Sequence, residues 1–207
     1  MASTQAAPET HDGTLRHAVT SILYTIVSVV VLGLIYPVVI WAIGAVAFPH
    51  QAQGSLVYDK NGTLIGSELV GQNWTKPRYF HGRPSAAGKG YDPTATGGTN
   101  LGPTSKKLID ATKSAIDALK KANPDASGPI PMDLVTSSAS GIDPDVSPAG
   151  AYYQARRVAK ARGLAPDRVR SLITAHVIPR QFGVLGEPRV NVFELNRALD
   201  AQGASST

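Results

Sequence analysis

The 207-residue chain is predicted to adopt an α+β fold: one N-terminal transmembrane helix followed by a single extracytoplasmic soluble domain with few, short strands. Three observations carry this. Residues 18–48 contain no charged side chain, the residues beyond them alternate short β-prone runs with segments of helical period, and all but one of the 20 Lys and Arg lie on the distal side. The chain then divides into a disordered cytoplasmic tail at 1–17, a span at 18–48 and a soluble domain at 49–207. The roughly 160 residues of that domain suffice for one hydrophobic core.

The uncharged run AVTSILYTIVSVVVLGLIYPVVIWAIGAVAF would reach roughly 45 Å as a helix. A bilayer core of about 30 Å needs less, and tilt takes up the surplus. Pro37, behind Tyr36, lacks a backbone donor and predicts an irregularity there. Gly33 and Gly44 leave shallow places where another helix can come close. Ala45-Val46-Ala47 has the form of a signal-peptidase site, but a signal h-region is about half as long, so the expectation is a retained anchor. Arg16 stands immediately before the run, whereas the first Lys or Arg after it is Lys60. The positive-inside rule therefore places the N-terminus in the cytoplasm.

All but Glu9 and Asp12 of the 15 acidic residues also lie beyond the span, so the soluble domain carries a net charge of +6. Its basic residues are dispersed with few aromatics among them, which argues for a solvated surface facing anionic lipid and against nucleic acid. The absence of Cys excludes disulfides, thiolate zinc sites and thiol catalysis.

In chain order, residues 55–67 place two β-prone runs around Asn61-Gly62, a hairpin signal in which both turn residues take positive φ. Asp59-Lys60-Asn61-Gly62-Thr63 is one residue from the phosphorylated loop of P-type ATPases, but the chain has no room for nucleotide and Mg²⁺ sites. Residues 74–104 are dense in Gly, Pro and small polar residues and predict a long ordered loop. Gly82 to Gly90 fails the Walker spacing, and Gly97-Gly98-Thr99-Asn100 is a turn whose N–H groups can also face an anion.

A helix is expected from Leu108 to Leu119, capped by Thr104 and ended by Asn123-Pro124, with Lys106, Asp110, Lys113, Asp117 and Lys121 on its wet side. Met132 to Thr136 reads as a short strand. Asp143, Asp145 and Ser147 begin like a calcium loop, but Pro148 and Gln154 break that pattern, and Ser138 and Ser140 lack any nucleophile signature. The helix after them has Ser147 as N-cap, Pro148 at its first position and Gly163 as C-cap. Its inward side carries Tyr152, Ala155, Val158 and Ala159, while Arg156, Arg157, Lys160 and Arg162 gather toward its C-terminal half. A second helix opens at Pro166 and packs Val169, Leu172 and Ile173. Val190 to Val192 leads into a last one through Phe193, Leu195 and Leu199.

Eight motifs then occur in one order: Tyr36-Pro37; residues 66–72; residues 79–86, including Arg83, Pro84 and Ser85; residues 97–103, including Gly97, Gly98 and Asn100; residues 131–136; residues 140–144; Gln154 with Arg157 through Arg162; and residues 185–196. In this the chain resembles the C subunits of Kdp-type potassium-transporting ATPases, from the span to Asp200. Ala139 stands where that family often has Gly, and the tail is longer than usual.

The resemblance implies a non-catalytic subunit of a bacterial inner-membrane complex with three partners: a potassium-channel-like subunit, a P-type pump subunit and a small single-span peptide. It also implies a chaperone role that raises the pump subunit's affinity for ATP. No cofactor of its own is expected, and ATP would be met only through the pump subunit. The expected membrane interface is Gly33, Tyr36, Pro37 and Gly44; the expected soluble interface is Arg83, Pro84, Ser85, Gly97, Gly98, Asn100, Gln154 and Arg157. The competing readings are a membrane-anchored envelope hydrolase and an anion- or solute-binding module.

Overall fold

The computed structural model describes residues 13–203; the expected tail up to residue 12 lies outside the described residues. Two compact units meet in sequence between Gly54 and Ser55 and are taken separately.

The first unit is helical from Gly13 to Ala47. It comprises α1 (Gly13–Val30), a π-helical turn (Val31–Ile35) and α2 (Tyr36–Ala47), followed by a short α3 (Pro49–Ala52). The helix starts ahead of the apolar run and takes in Arg16, because extending a nucleated helix is far easier than starting one. The irregularity expected at Tyr36 lies in the turn before it. The Tyr36 N–H donates to Val31 O, five residues back, and this widened turn accommodates the missing donor of Pro37. No residue of these helices is buried within the chain, so lipid or partner helices must cover them.

The second unit begins with β1 (Leu56–Tyr58) and β2 (Leu64–Ser67), paired antiparallel. Their turn is wider than the two-residue form expected. Only Gly62 has positive φ, and Asp59 closes the loop by accepting from the N–H groups of Asn61 and Thr63, both at 2.8 Å. The aspartate that imitates a phosphorylation site is thus a turn residue.

No helix or strand forms between β2 and α4 (Lys106–Ala122), as the Gly- and Pro-rich composition predicts. Ser105, not Thr104, occupies the N-cap of α4, with no side-chain capping bond. The expected strand at Met132 is a 3₁₀ turn, Met132–Leu134. Leu134 and Val135 are both buried, against the alternation of a half-buried strand, and Thr136 Oγ1 donates back to Met132 O at 2.9 Å.

The core lies where α5 (Pro148–Arg162), α6 (Pro166–Ala175) and α7 (Val192–Gly203) meet a three-stranded antiparallel sheet. That sheet runs β3 (Asp145–Val146), β5 (Arg189–Asn191), β4 (Val177–Ile178). Val190 of the central strand faces Val146 on one side and Val177 on the other and is fully buried. Ser147 caps α5 as expected, its Oγ accepting from Gly150 N at 2.9 Å, and Gly163 ends it in the left-handed conformation. Asp133 steadies the cap, accepting from Ser147 N at 2.6 Å and Oγ at 3.1 Å.

On α5 the expected inward residues Ala155, Val158 and Ala159 are buried, and Tyr152 packs half-buried against the core and bonds Thr174 at 2.7 Å; Gln154 and Arg157, not expected there, are buried with them. Arg157 therefore does not join the wet cations around it.

Candidate functional site

Segment 74–91 carries Arg83, Pro84 and Ser85 of the expected soluble interface, and buried polar side chains hold it in place. Asn196 on α7 accepts from Phe80 N at 2.8 Å and donates to Phe80 O at 3.0 Å. One residue on, Gln154 of α5 repeats the device, accepting from His81 N at 2.8 Å and donating to His81 O at 3.0 Å. Two carboxamides thereby stand in for a neighbouring strand, satisfying backbone groups that burial would otherwise leave unpaired. Between them the Phe80 side chain enters the core, fully buried.

Arg157 ties the clamp together. Its Nε donates to Asn123 Oδ1 at 2.9 Å, Nη1 to Tyr79 O at 2.9 Å and also to Pro77 O, and Nη2 to Gln154 Oε1 at 2.7 Å. Burial pulls its pKa down to about 10, so it remains charged at neutral pH. The same desolvation, with the nearby Arg157 charge adding to it, holds His81 below its ordinary value.

Residues 82–98 are stitched to residues 137–143. Arg83 pairs with Asp143 at 2.9 Å, and Ser85 Oγ donates to Gly141 O at 2.6 Å while accepting from Tyr91 N at 2.8 Å. The Tyr91 hydroxyl donates to Arg83 O, and burial first, then Asp143, pushes its pKa up to about 12. Gly97 N donates to Ser140 O at 2.8 Å. Gly141 sits at positive φ so close to Ala87 that any Cβ would collide.

Residues 72–75, 81–85 and 88–91 wall an open cleft of about 630 Å³ lined by Trp74, His81, Arg83, Pro84, Ser85 and Lys89, among others. Among the described residues, two buried side-chain donors lack an acceptor, Trp74 Nε1 and Arg83 Nε, and both belong to residues in its walls.

The structure brings Arg83, Pro84 and Ser85 together on the cleft and sets Gly97 and Gly98 against the 138–140 turn. Asn100 is exposed, at positive φ, and is not in the cleft wall. Gln154 and Arg157 are buried and act from beneath as positioning residues for segment 77–81. In the first unit, a Cβ at Gly44 would meet nothing within 4 Å and one at Gly33 only Val29 at 3.9 Å, so both places stand open. Tyr36 is exposed.

Sequence reasoning missed Asn123 and Asn196, as well as the cluster in which the Tyr79 ring lies tilted against Trp74 at 4.6 Å and meets Arg162 and Asp200. The signal was available for Asn196, which interrupts the apolar stripe of Val192, Leu195 and Leu199. A polar residue on a buried stripe needs a partner.

Comparison with known proteins gives a consistent answer. The family model described as KdpC, K⁺-transporting ATPase, c chain, matches residues 18–201. A potassium-transporting ATPase KdpC subunit from Koribacter versatilis is 50% identical over 186 residues, 89% of this chain and 94% of the relative. The corresponding subunit of Myxococcus xanthus is 51% identical over 181 residues, 87% of this chain and 86% of its own length. That of Burkholderia orbicola is 52% identical over 181 residues, 87% and 93%.

Proposed function

The chain belongs to the KdpC family of K⁺-transporting ATPase c chains, and we propose that it is a non-catalytic accessory subunit of a high-affinity, ATP-driven potassium uptake complex. It would act in assembly and stabilisation beside a potassium-channel-like subunit, a P-type pump subunit and a small single-span peptide in the bacterial inner membrane. The single observation that carries this reading is a helix, Gly13–Ala47, with no residue buried inside its own chain, joined to a domain of this family. Such a helix requires lipid or partner helices around it. Tyr36, Pro37 and the open places at Gly33 and Gly44 form its docking stripe.

With Arg16 on the cytoplasmic side, the soluble domain lies outside and caps the outer mouth of the channel subunit. There the loop of Arg83, Pro84 and Ser85 and the turn of Gly97, Gly98 and Asn100 meet the partner, with Gln154 and Arg157 fixing the first loop from behind. Tethering raises the domain's effective concentration at that site, so weak contacts suffice. In this topology ATP is met only through the pump subunit, and a chaperone effect on its ATP affinity would be transmitted through the partners.

Co-purification from native membranes tests the reading. Deleting residues 1–48 should abolish recovery of the channel-like and pump subunits in detergent, and normal recovery would overturn the docking role of the span. Arg83→Glu, which sets two carboxylates against each other at Asp143, should weaken assembly; unchanged uptake at micromolar K⁺ would remove Arg83 from the interface. A reporter fused at the C-terminus and active only in the cytoplasm would reverse the topology.

A further inference from the structure

The hairpin between β4 and β5 is built unlike the rest of the domain. Gln181 pairs with Leu185, and Val184 N closes the turn on Gln181 O at 3.2 Å. The two residues between them, Phe182 and Gly183, both have positive φ, at 53° and 77°. That is the pattern of a type I′ turn, whose first central position ordinarily takes Asn, Asp or Gly. A bulky aromatic there is strained. Yet Phe182 is 83% exposed, with Val184 at 71% and Leu185 at 57% beside it. A strained conformation thus projects three apolar side chains into solvent, and no packing within this domain accounts for it.

We propose that this tip is a bilayer-contact element: Phe182, Val184 and Leu185 enter the headgroup and upper acyl region of the membrane. Three features select lipid as the occupant. Three side chains on a narrow, convex turn fall far short of the roughly 1,200–2,000 Å² that a specific protein interface buries, whereas a domain already tethered to a membrane needs only a weak second contact. Arg180 and Arg189 behind the tip are paired with Glu187 at 2.6 Å and Asp145 at 2.9 Å, so the exposed aromatic and aliphatic groups carry the contact, and such groups are what the interfacial region of a bilayer takes up. The +6 charge of the surrounding domain adds attraction to anionic headgroups. The contact would restrict rotation of the soluble domain about its tether. It does not depend on which subunits surround the chain, so its failure would leave the proposed function untouched.

The chain has no cysteine, so a single Val184→Cys substitution gives one site for a spin label. The full chain is placed in nanodiscs of phosphatidylcholine and phosphatidylglycerol in equal parts, with Lys113→Cys on the wet face of α4 as control. Collision with oxygen relative to collision with a water-soluble nickel complex should be several-fold higher at 184 than at 113. Adding Phe182→Asp should lower the 184 ratio to that of the control without changing the far-ultraviolet circular dichroism. The same ratio at 184 and 113 in the unmodified background overturns the proposal. So does a label that is shielded only after the other subunits of the complex are added, because the tip would then be covered by protein.

Discussion

Residues 77–85 and the hairpin at 178–189 are opposites. The first has no regular secondary structure, yet its backbone is answered by Asn196, Gln154 and Arg157, and its Phe80 is fully buried. The second has regular strand pairing, yet its tip bonds mainly to itself and holds its apolar residues in solvent. How firmly a segment is fixed therefore follows from what satisfies its backbone and what its side chains fill. The segment without a strand is the anchored one, and the strand pair is the free one.

The sharpest way to break this comparison is to remove the residue that ties the clamp. Arg157→Ala leaves the carbonyls of Pro77 and Tyr79 and the Asn123 amide without their charged donor, and should lower stability by about 4 kcal/mol. Arg157→Lys should recover only part, since an ammonium cannot span the same acceptors with a planar fork. Asn196→Ala strips both partners from Phe80 and should cost about 3 kcal/mol. Urea unfolding of the full chain in detergent, followed by near-ultraviolet circular dichroism, measures all three. A loss below about 1 kcal/mol for either alanine variant would show the segment to be held by Phe80 packing alone.

A smaller effect comes from acid. His81 sits beside the clamp with its pKa lowered by burial and by Arg157, so the folded state binds fewer protons than the unfolded chain. Its contribution is present above the unfolded value of about 6.5 and is lost as pH falls from there toward the lower folded value. Thermal scans of the full chain from about pH 7.5 to 5.5 should show a falling melting temperature, and His81→Gln should flatten that slope. An identical slope in the variant would mean that His81 is not desolvated in solution.

Much of this was legible in the residues themselves. The span, the hairpin, both Pro-started helices and the caps at Ser147 and Gly163 each rest on local chemistry: a charge-free run, Asn-Gly, Ser-Pro and a terminal glycine. What failed was non-local. β3 and β4 are only two residues long and exist because β5 lies between them, so no period could announce them. Gln154 and Arg157 were expected on a partner-facing side, because a polar residue in a helix reads as wet until something reveals the backbone it clamps. That clamped backbone lies over seventy residues away in sequence. Asn196, by contrast, broke an apolar stripe and was readable in principle.

The smallest effect on stability is the most informative about the free region. Phe182→Asn puts at the first turn position a residue that tolerates positive φ, and it removes a side chain that contributes little to the core because it is almost wholly exposed. The variant should be as stable as the parent or better, by up to about 0.5 kcal/mol. A phenylalanine whose replacement costs the fold nothing leaves its side chain free to act outside the fold, so the same variant should lose the bilayer contact in the spin-label measurement. If Phe182→Asn instead destabilises the chain by more than about 1 kcal/mol, the tip is packed in solution, and its exposure and strain call for a structural explanation rather than a contact with lipid.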